Sequence, residues 1–347
     1  MREVLINLKA LKENFKYIKS KAGVPVLAVV KADAYGHGLI PCAKAAVEAG
    51  ADYLGTALLE EAFALRESGI SAPILAWLNA PGLDYENAVA QNIEIGISSL
   101  KVFDEVNAIP GAKIHLKVET GMGRNGFSNE WPELLTRDLS KVVGIMTHFA
   151  RADEPNEAQN QIQMENFENR VAELHELGIK PLRHISNTAA TLSNSKAKFD
   201  MVRVGIAMYG LSPLGRDENL KPIMKVRAKL VVVKELSAGH PVGYGATVKT
   251  SADTKIGIVA MGYADGIPRN ANNVGVTFNE ESAPLIGRVS MDQIAIDLGK
   301  SSSAKSGDWV TVIGDKYDAY DWAKGCGTIT YEITTRMAPR IKRTYEN

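Results

Sequence analysis

Eight short apolar runs, nearly all separated by helix-length segments, restrict this chain to very few architectures. The runs are 24–30, Tyr53–Ala57, Ile74–Leu78, Ile93–Ile97, Lys113–Val118, Val142–Met146, Leu182–Ile185 and Met201–Ala207. Between them, helical segments are read at 39–49, 58–68, about 84–91, 100–108, 131–138 and about 156–178, and a further helix opens at Thr188. Residues 4–19 read as a leading helix, with Leu8, Leu11, Phe15 and Ile18 on one face. Right-handed helical crossovers close eight such strands into a barrel. A doubly wound sheet could use the same elements, but the count of eight strands favours the barrel. The expected architecture is an α/β fold, a (β/α)8 TIM-type barrel over residues 1–215.

After about residue 215 the pattern changes. Val226–Val233, Thr254–Met261, Val274–Phe278, Ala283–Val289, Gln293–Leu298 and Trp309–Ile313 are strand-like, and Gly and Asp mark the turns. No long helix is read between them. A short helix at about 328–337 precedes a basic tail ending in Tyr345. Residues 216–347 are therefore expected to form a separate C-terminal all-β domain. A length of 347 residues accommodates two domains, and 45% apolar residues supply a sizeable core.

Charge narrows the function classes. Lysine plus arginine and aspartate plus glutamate are equal at 40 each. Nothing favours a nucleic-acid or anionic-membrane partner. No apolar stretch is long enough to span a bilayer, and the N-terminus lacks a signal-peptide pattern, so a cytoplasmic location is expected. Cys42 and Cys326 offer neither a metal-ligand spacing nor a disulfide framework, and no metal is expected.

Catalytic groups of a barrel sit at the carboxyl ends of its strands. Lys31, Arg124, His148, His184 and Asn187 fall at or shortly after such ends. Burial of Lys31 would lower its pKa and leave a nucleophilic amine suited to an aldehyde cofactor; the bland alternative is a lysine that snorkels to water. Asn187 or Thr188 can cap the helix that follows and turn backbone N–H groups toward an anion, or simply cap it. Gly205 would let backbone approach a phosphate closely, or merely aid strand packing. His148 and His184 read equally as satisfied core histidines. Tyr244 stands alone among glycines in Pro241-Val-Gly-Tyr-Gly-Ala-Thr247, a hairpin by local reading.

The stretch Ala28-Val-Val-Lys-Ala-Asp-Ala-Tyr-Gly-His-Gly38 resembles the cofactor-lysine segment of the alanine racemases, fold-type III pyridoxal-phosphate enzymes built from a barrel and a β domain. Matching motifs run through almost the entire chain in the expected order. The resemblance implies that Lys31 carries the cofactor covalently. Phe199 to Tyr209 resembles the segment that binds ring and phosphate. Arg203 would face the pyridine nitrogen, with His184 bonded to the arginine and His148 against the ring. Thr188, Gly205 and Ile206 would hold the phosphate, with Tyr35 and Tyr331. An arginine does not give up its proton at neutral pH, so it would leave the ring nitrogen unprotonated and disfavour side routes such as transamination.

The same resemblance makes Tyr244 the second base, reaching the site from a partner subunit of a homodimer. Arg124 and the N–H of Met291 would hold the substrate carboxylate. Tyr263 would line the entrance. Lys117 matches a position that is carbamylated in some members, and Asp292 would help order the site. Gly243, Glu119 and Ile267 depart from the usual serine, aspartate and aromatic residue. The implied activity is interconversion of L- and D-alanine, supplying D-alanine for peptidoglycan. A racemase for serine or a broader amino-acid set is the nearest alternative. A non-catalytic pyridoxal-phosphate carrier would share the barrel but not a β domain with a counterpart of Tyr244; a decarboxylase of the same fold type would be longer, and the tyrosine and arginine motifs fit the racemase better. A sugar-phosphate barrel enzyme would explain the phosphate cradle alone.

Overall fold

The computed structural model describes residues 1–347. The first strand, β1, is Arg2–Asn7. The barrel strands follow as β2 Val26–Val29, β3 Tyr53–Thr56, β4 Ile74–Ala76, β5 Ile93–Ile97, β6 Ile114–Lys117, β7 Val142–Met146, β8 Leu182–His184 and β9 Val202–Val204. They form one eight-stranded sheet in the order β8-β7-β6-β5-β4-β3-β2-β9, parallel at every pairing. That order decides between the two α/β solutions. The last strand lies beside the first, with Leu27 paired to Arg203, so the sheet curls back on itself. Hydrogen bonds from Arg203 N to Ser186 O (2.9 Å) and from Asp200 N to Arg183 O (3.1 Å) bridge the β8–β9 seam. The strands are almost wholly buried, as the fully covered sheet of a barrel requires.

The second sheet contains β1 and β10 Met224–Leu236, β13 Thr254–Val259, β14 Gly275–Phe278, β15 Glu281–Pro284, β16 Ile294–Asp297, β17 Trp309–Ile313 and β18 Lys342–Glu346. A separate two-stranded hairpin consists of β11 Pro241–Val242 and β12 Val248–Lys249. By packing, one compact unit comprises Lys9–Ala34 and Leu39–Lys221, the other Met1–Leu8, Tyr35–Gly38 and Pro222–Asn347.

The first residues are not the helix expected over 4–19. They form β1, and the helix is Leu8–Ala22. Val4 and Ile6 alternate into the core at 0% exposure, which is strand periodicity; Leu11, Phe15 and Ile18 are buried on the helix that follows. β1 pairs antiparallel with β10 and parallel with β18, so the basic tail is a strand as well. A helix at Ala319–Cys326 also goes beyond the sequence reading, while the short terminal helix is confirmed at Thr330–Thr335.

Candidate active site

One residue separates Lys31 from the end of β2, and Lys31 opens an unusual turn. Ala32, Asp33, Ala34 and Tyr35 all have φ between 53° and 56°. This is a left-handed helical turn of non-glycine residues, at a cost of roughly 1–2 kcal/mol per residue. Hydrogen bonds at several points hold it. Ala34 N donates to Val30 O (2.8 Å), Ala32 N to Glu61 Oε1 (2.6 Å), and Leu39 N to Asp33 Oδ1 (2.8 Å). Glu61 Oε2 also accepts from Ala57 and Leu58 N–H, so one carboxylate ties β3's exit to the Lys31 turn. Strain maintained in this way beside a candidate nucleophile is characteristic of functional sites.

Cations converge on the barrel unit's site. Burial, then the charges of Arg124 and Arg203, lower the Lys31 pKa against the opposing pull of Glu61. Lys117, at the end of β6, is brought down to about 8 by burial and then by Arg124, Arg203 and Lys31. Its Nζ donates to Asn125 Oδ1. His148 is held well below the usual histidine range by burial and then Arg203, Arg124, Lys31 and Lys117, so it is neutral. Such a site favours anionic ligands and readily deprotonated amines.

Arg203 is the most constrained of these cations. It is 7% exposed. Nη1 donates to His184 O (2.6 Å) and His184 Nδ1 (3.2 Å). Nη2 donates to Thr147 O (2.7 Å), with His148 Nδ1 and Ile185 O each at 3.3 Å. Nε–H makes no hydrogen bond within the protein. Burial lowers the pKa to about 10, leaving the guanidinium charged at neutral pH. The free Nε–H suits an acceptor nitrogen on a ligand ring.

At the β8 and β9 ends, Asn187 Oδ1 accepts from Ala190 N (3.1 Å) and caps the helix Thr188–Ser193. Thr188 Oγ1 accepts from Gly205 N (3.1 Å), pinning the two strand ends together. The Ile206 N–H at the start of the short Ile206–Tyr209 helix finds no acceptor in the protein. Capping and anion presentation therefore divide between residues: Asn187 caps, and the Ile206 N–H is the backbone donor left open.

Glu119 explains how Arg124 is presented. Its Oε1 accepts from Gly121 (2.5 Å) and Met122 (2.6 Å) N–H, and its Oε2 from Gly123 (3.0 Å) and Arg124 (3.3 Å). Burial alone would raise the Glu119 pKa, but these four donors outweigh it and hold the carboxyl below its ordinary range. The glutamate in place of aspartate is thus the organiser of the loop that carries the exposed Arg124.

In the other unit, the Tyr35 and Tyr331 rings lie 5.9 Å apart, tilted by 44°. Burial, then Tyr331, pushes the Tyr35 phenol up, so it stays a donor. Tyr244 sits between β11 and β12, 68% exposed. Gly243 before it has φ 73° and ψ −175°, a conformation only glycine adopts without strain, and the chain has glycine where its resemblance has serine. Ala246 N donates to Gly243 O (3.2 Å) and closes the loop. Met291 is 54% exposed, and its N–H finds no acceptor in the protein. Tyr263 N donates to Ser290 O (3.0 Å) and Ala264 N to Met291 O (2.9 Å), so the Tyr263 and Met291 loops are stitched together. Asp292 Oδ1 accepts from Arg340 Nη2 (2.7 Å), whose Nε also holds the buried Asp265 (2.7 Å). Ile267 is wholly buried and acts only by packing.

The sequence reading missed Glu61, Glu94 and His115. The signal was present for two of them: Glu94 and His115 are polar residues inside the apolar runs Ile93–Ile97 and Ile114–Leu116.

Residues 6–213 match the family described as "Alanine racemase, N-terminal domain", and residues 223–345 match "Alanine racemase, C-terminal domain". The chain is 40% identical over 365 residues to an alanine racemase of Salinispora arenicola, covering 99% of this chain and 98% of that one. It superposes on alanine racemase from D-cycloserine-producing Streptomyces lavendulae with a TM-score of 0.97 at 40% identity, covering 100% and 97% of the two chains. The Bartonella henselae alanine racemase, a structure with covalently bound pyridoxal phosphate, matches with a TM-score of 0.91 at 28% identity over 99% of each chain.

Proposed function

The chain belongs to the alanine racemase family and interconverts L- and D-alanine with pyridoxal phosphate; we propose that it does so with two bases, Lys31 and Tyr244, contributed by different subunits of a homodimer. Pyridoxal phosphate, when bound, withdraws electrons from the substrate Cα and makes its proton removable. Every other part of the reaction falls to the chain. The donor set fits this cofactor. Lys31 supplies the amine that binds it, Arg203 Nε–H the donor for its ring nitrogen, and His148 a neutral face beside that arginine. Tyr35, Tyr331, Thr188, Gly205 and Ile206 supply phosphate donors, Asn187 fixes the helix they adjoin, and His184 orients Arg203.

Racemisation removes a proton from one face of Cα and returns it to the other. Lys31 Nζ serves one face, because its lowered pKa makes the neutral amine accessible. Tyr244 Oη serves the other, with the Arg124 guanidinium beside it when the two meet. Arg124 and the unengaged Met291 N–H hold the substrate carboxylate, and Tyr263 lines the way in. Lys117, a half-neutral amine near pH 8, and Asp292 support the positions of Arg124 and Met291.

The exposure of Tyr244 and Met291 supports a shared site, the barrel providing the cofactor residues and the β domain serving the partner. No helix is long and apolar enough to cross a membrane. We place the enzyme in the cytoplasm, supplying D-alanine to peptidoglycan.

The observation that carries this reading is Arg203, donor-only, buried and with one donor left for a ligand. Incubation of the purified protein with L-alanine, L-serine and larger L-amino acids, followed by chiral analysis, tests it. D-alanine should form fastest. Formation of another D-amino acid with no D-alanine would overturn it.

A further inference from the structure

Arg203 is the near end of a chain of buried polar groups that runs through the barrel core. His184 Nδ1 lies 3.2 Å from Arg203 Nη1. His184 Nε2 lies 2.9 Å from His115 Nδ1. His115 Nε2 lies 2.8 Å from Glu94 Oε2, and Glu94 Oε1 lies 3.6 Å from Lys113 Nζ. His184, His115 and Glu94 are 0%, 1% and 4% exposed.

The direction of every bond follows from its first member. A guanidinium has donors and no acceptor. His184 Nδ1 must therefore accept, which puts the ring proton on Nε2. Nε2–H donates to His115, whose Nδ1 must accept in turn. The His115 proton is then on Nε2 and points at the Glu94 carboxylate. Burial, then Arg203, holds His184 well below the usual histidine range, consistent with a neutral ring. Burial would raise the Glu94 pKa, but the hydrogen bond from His115 and nearby Lys113 outweigh it, so the chain ends on an anion. Reversing the tautomer of either ring would set two donors or two acceptors face to face in a dry core, which is costly.

The backbone makes room for this chain. His115 is on β6 and His184 on β8, with β7 between them. β7 contributes Gly144, paired with His115, and a Cβ there would lie 2.1 Å from His115 Nδ1. Any side chain at 144 would occupy the space of the imidazole, so the two rings meet across β7 only because that residue is glycine. They contact edge to face at 5.0 Å and 76°.

We propose that Glu94 and His115 are positioning residues: they lock His184 as the Nε2–H tautomer, and that lock fixes the Arg203 guanidinium with its Nε–H presented to the ring of the cofactor. The inference rests on the assignment of Arg203 as ring partner. Glu94→Leu should unlock His115 and, through it, His184, which residue 94 does not touch. Glu94→Gln keeps an acceptor for His115 and should preserve both tautomers.

Imidazole ¹⁵N spectra of the cofactor-loaded protein test this directly, since the chain has only six histidines to assign. In the unaltered protein both His184 and His115 should carry the proton on Nε2 alone at neutral pH. In Glu94→Leu the His184 signature should be lost, with kcat for alanine down roughly 10-fold or more and KM little changed, and Glu94→Gln should restore both. A proton on His184 Nδ1 in the unaltered protein would overturn the proposal without any variant. So would a folded Glu94→Leu protein with His184 and kcat unchanged. The tautomers are read independently of turnover, so absence of alanine racemisation would refute the functional reading and leave the tautomer result intact.

Discussion

Tyr244→Phe separates the chemistry of the proposed second base from its packing. The side chain is 68% exposed in its own chain, so losing the hydroxyl should shift the folding stability by no more than about 0.5 kcal/mol. The variant should retain cofactor and dimer. Its racemisation rate should fall at least roughly 10²-fold, the contribution of a positioned general base. Isotope exchange at Cα should persist mainly for D-alanine, the enantiomer assigned to Lys31. Mixing with Lys31→Ala tests the shared site. If the bases come from different subunits, each mixed dimer holds one site with both lesions and one intact site. Random exchange of equal amounts makes about half the dimers mixed, so about a quarter of all sites recover. The assay is the initial rate of D-alanine formation after exchange, with mixed dimers verified by mass. No recovery in verified mixed dimers would refute the assignment of Tyr244 to the partner's site.

Three further outcomes are expected. Borohydride treatment followed by peptide mapping should leave the cofactor on the peptide containing Lys31, and recovery on another lysine would remove that assignment. Glu119→Gln should loosen the loop that carries Arg124, raising KM for alanine more than it lowers kcat. The Glu119 pKa is lowered in the folded protein, so its stabilisation is present above the ordinary value of 4.5 and lost as pH falls through the lower folded value. Acid denaturation curves of the variant should therefore be flatter below pH 4.5, and superimposable curves would contradict this. Asp265 is fully buried with Arg2 Nε at 3.0 Å and Arg340 Nε at 2.7 Å. Asp265→Ala should cost roughly 3 kcal/mol in denaturant unfolding, because it leaves two guanidinium groups without their shared carboxylate.

The barrel was legible in the sequence because its signal is local. Each buried parallel strand is a short apolar run, and most crossovers have helical spacing, so eight strands could be counted without knowing any contact. Placement at strand ends likewise singled out Lys31, Arg124, His148 and His184 before any geometry. The N-terminal strand was not legible, since Val4 and Ile6 fit either period over so few residues and its partners lie in β10 and β18, more than 200 residues away. Nor was the left-handed turn after Lys31, where Glu61 and Val30 accept from its backbone N–H groups and the Asp33 carboxylate accepts from Leu39. Glu94, His115 and Gly144 looked like irregularities in three separate strands. Barrel closure places those strands side by side, and only then does a lone carboxylate, a lone imidazole and a missing side chain become one hydrogen-bonded path to Arg203. Local pattern sets which elements form; the protonation and direction of buried polar groups depend on neighbours from distant strands, which tertiary structure alone supplies.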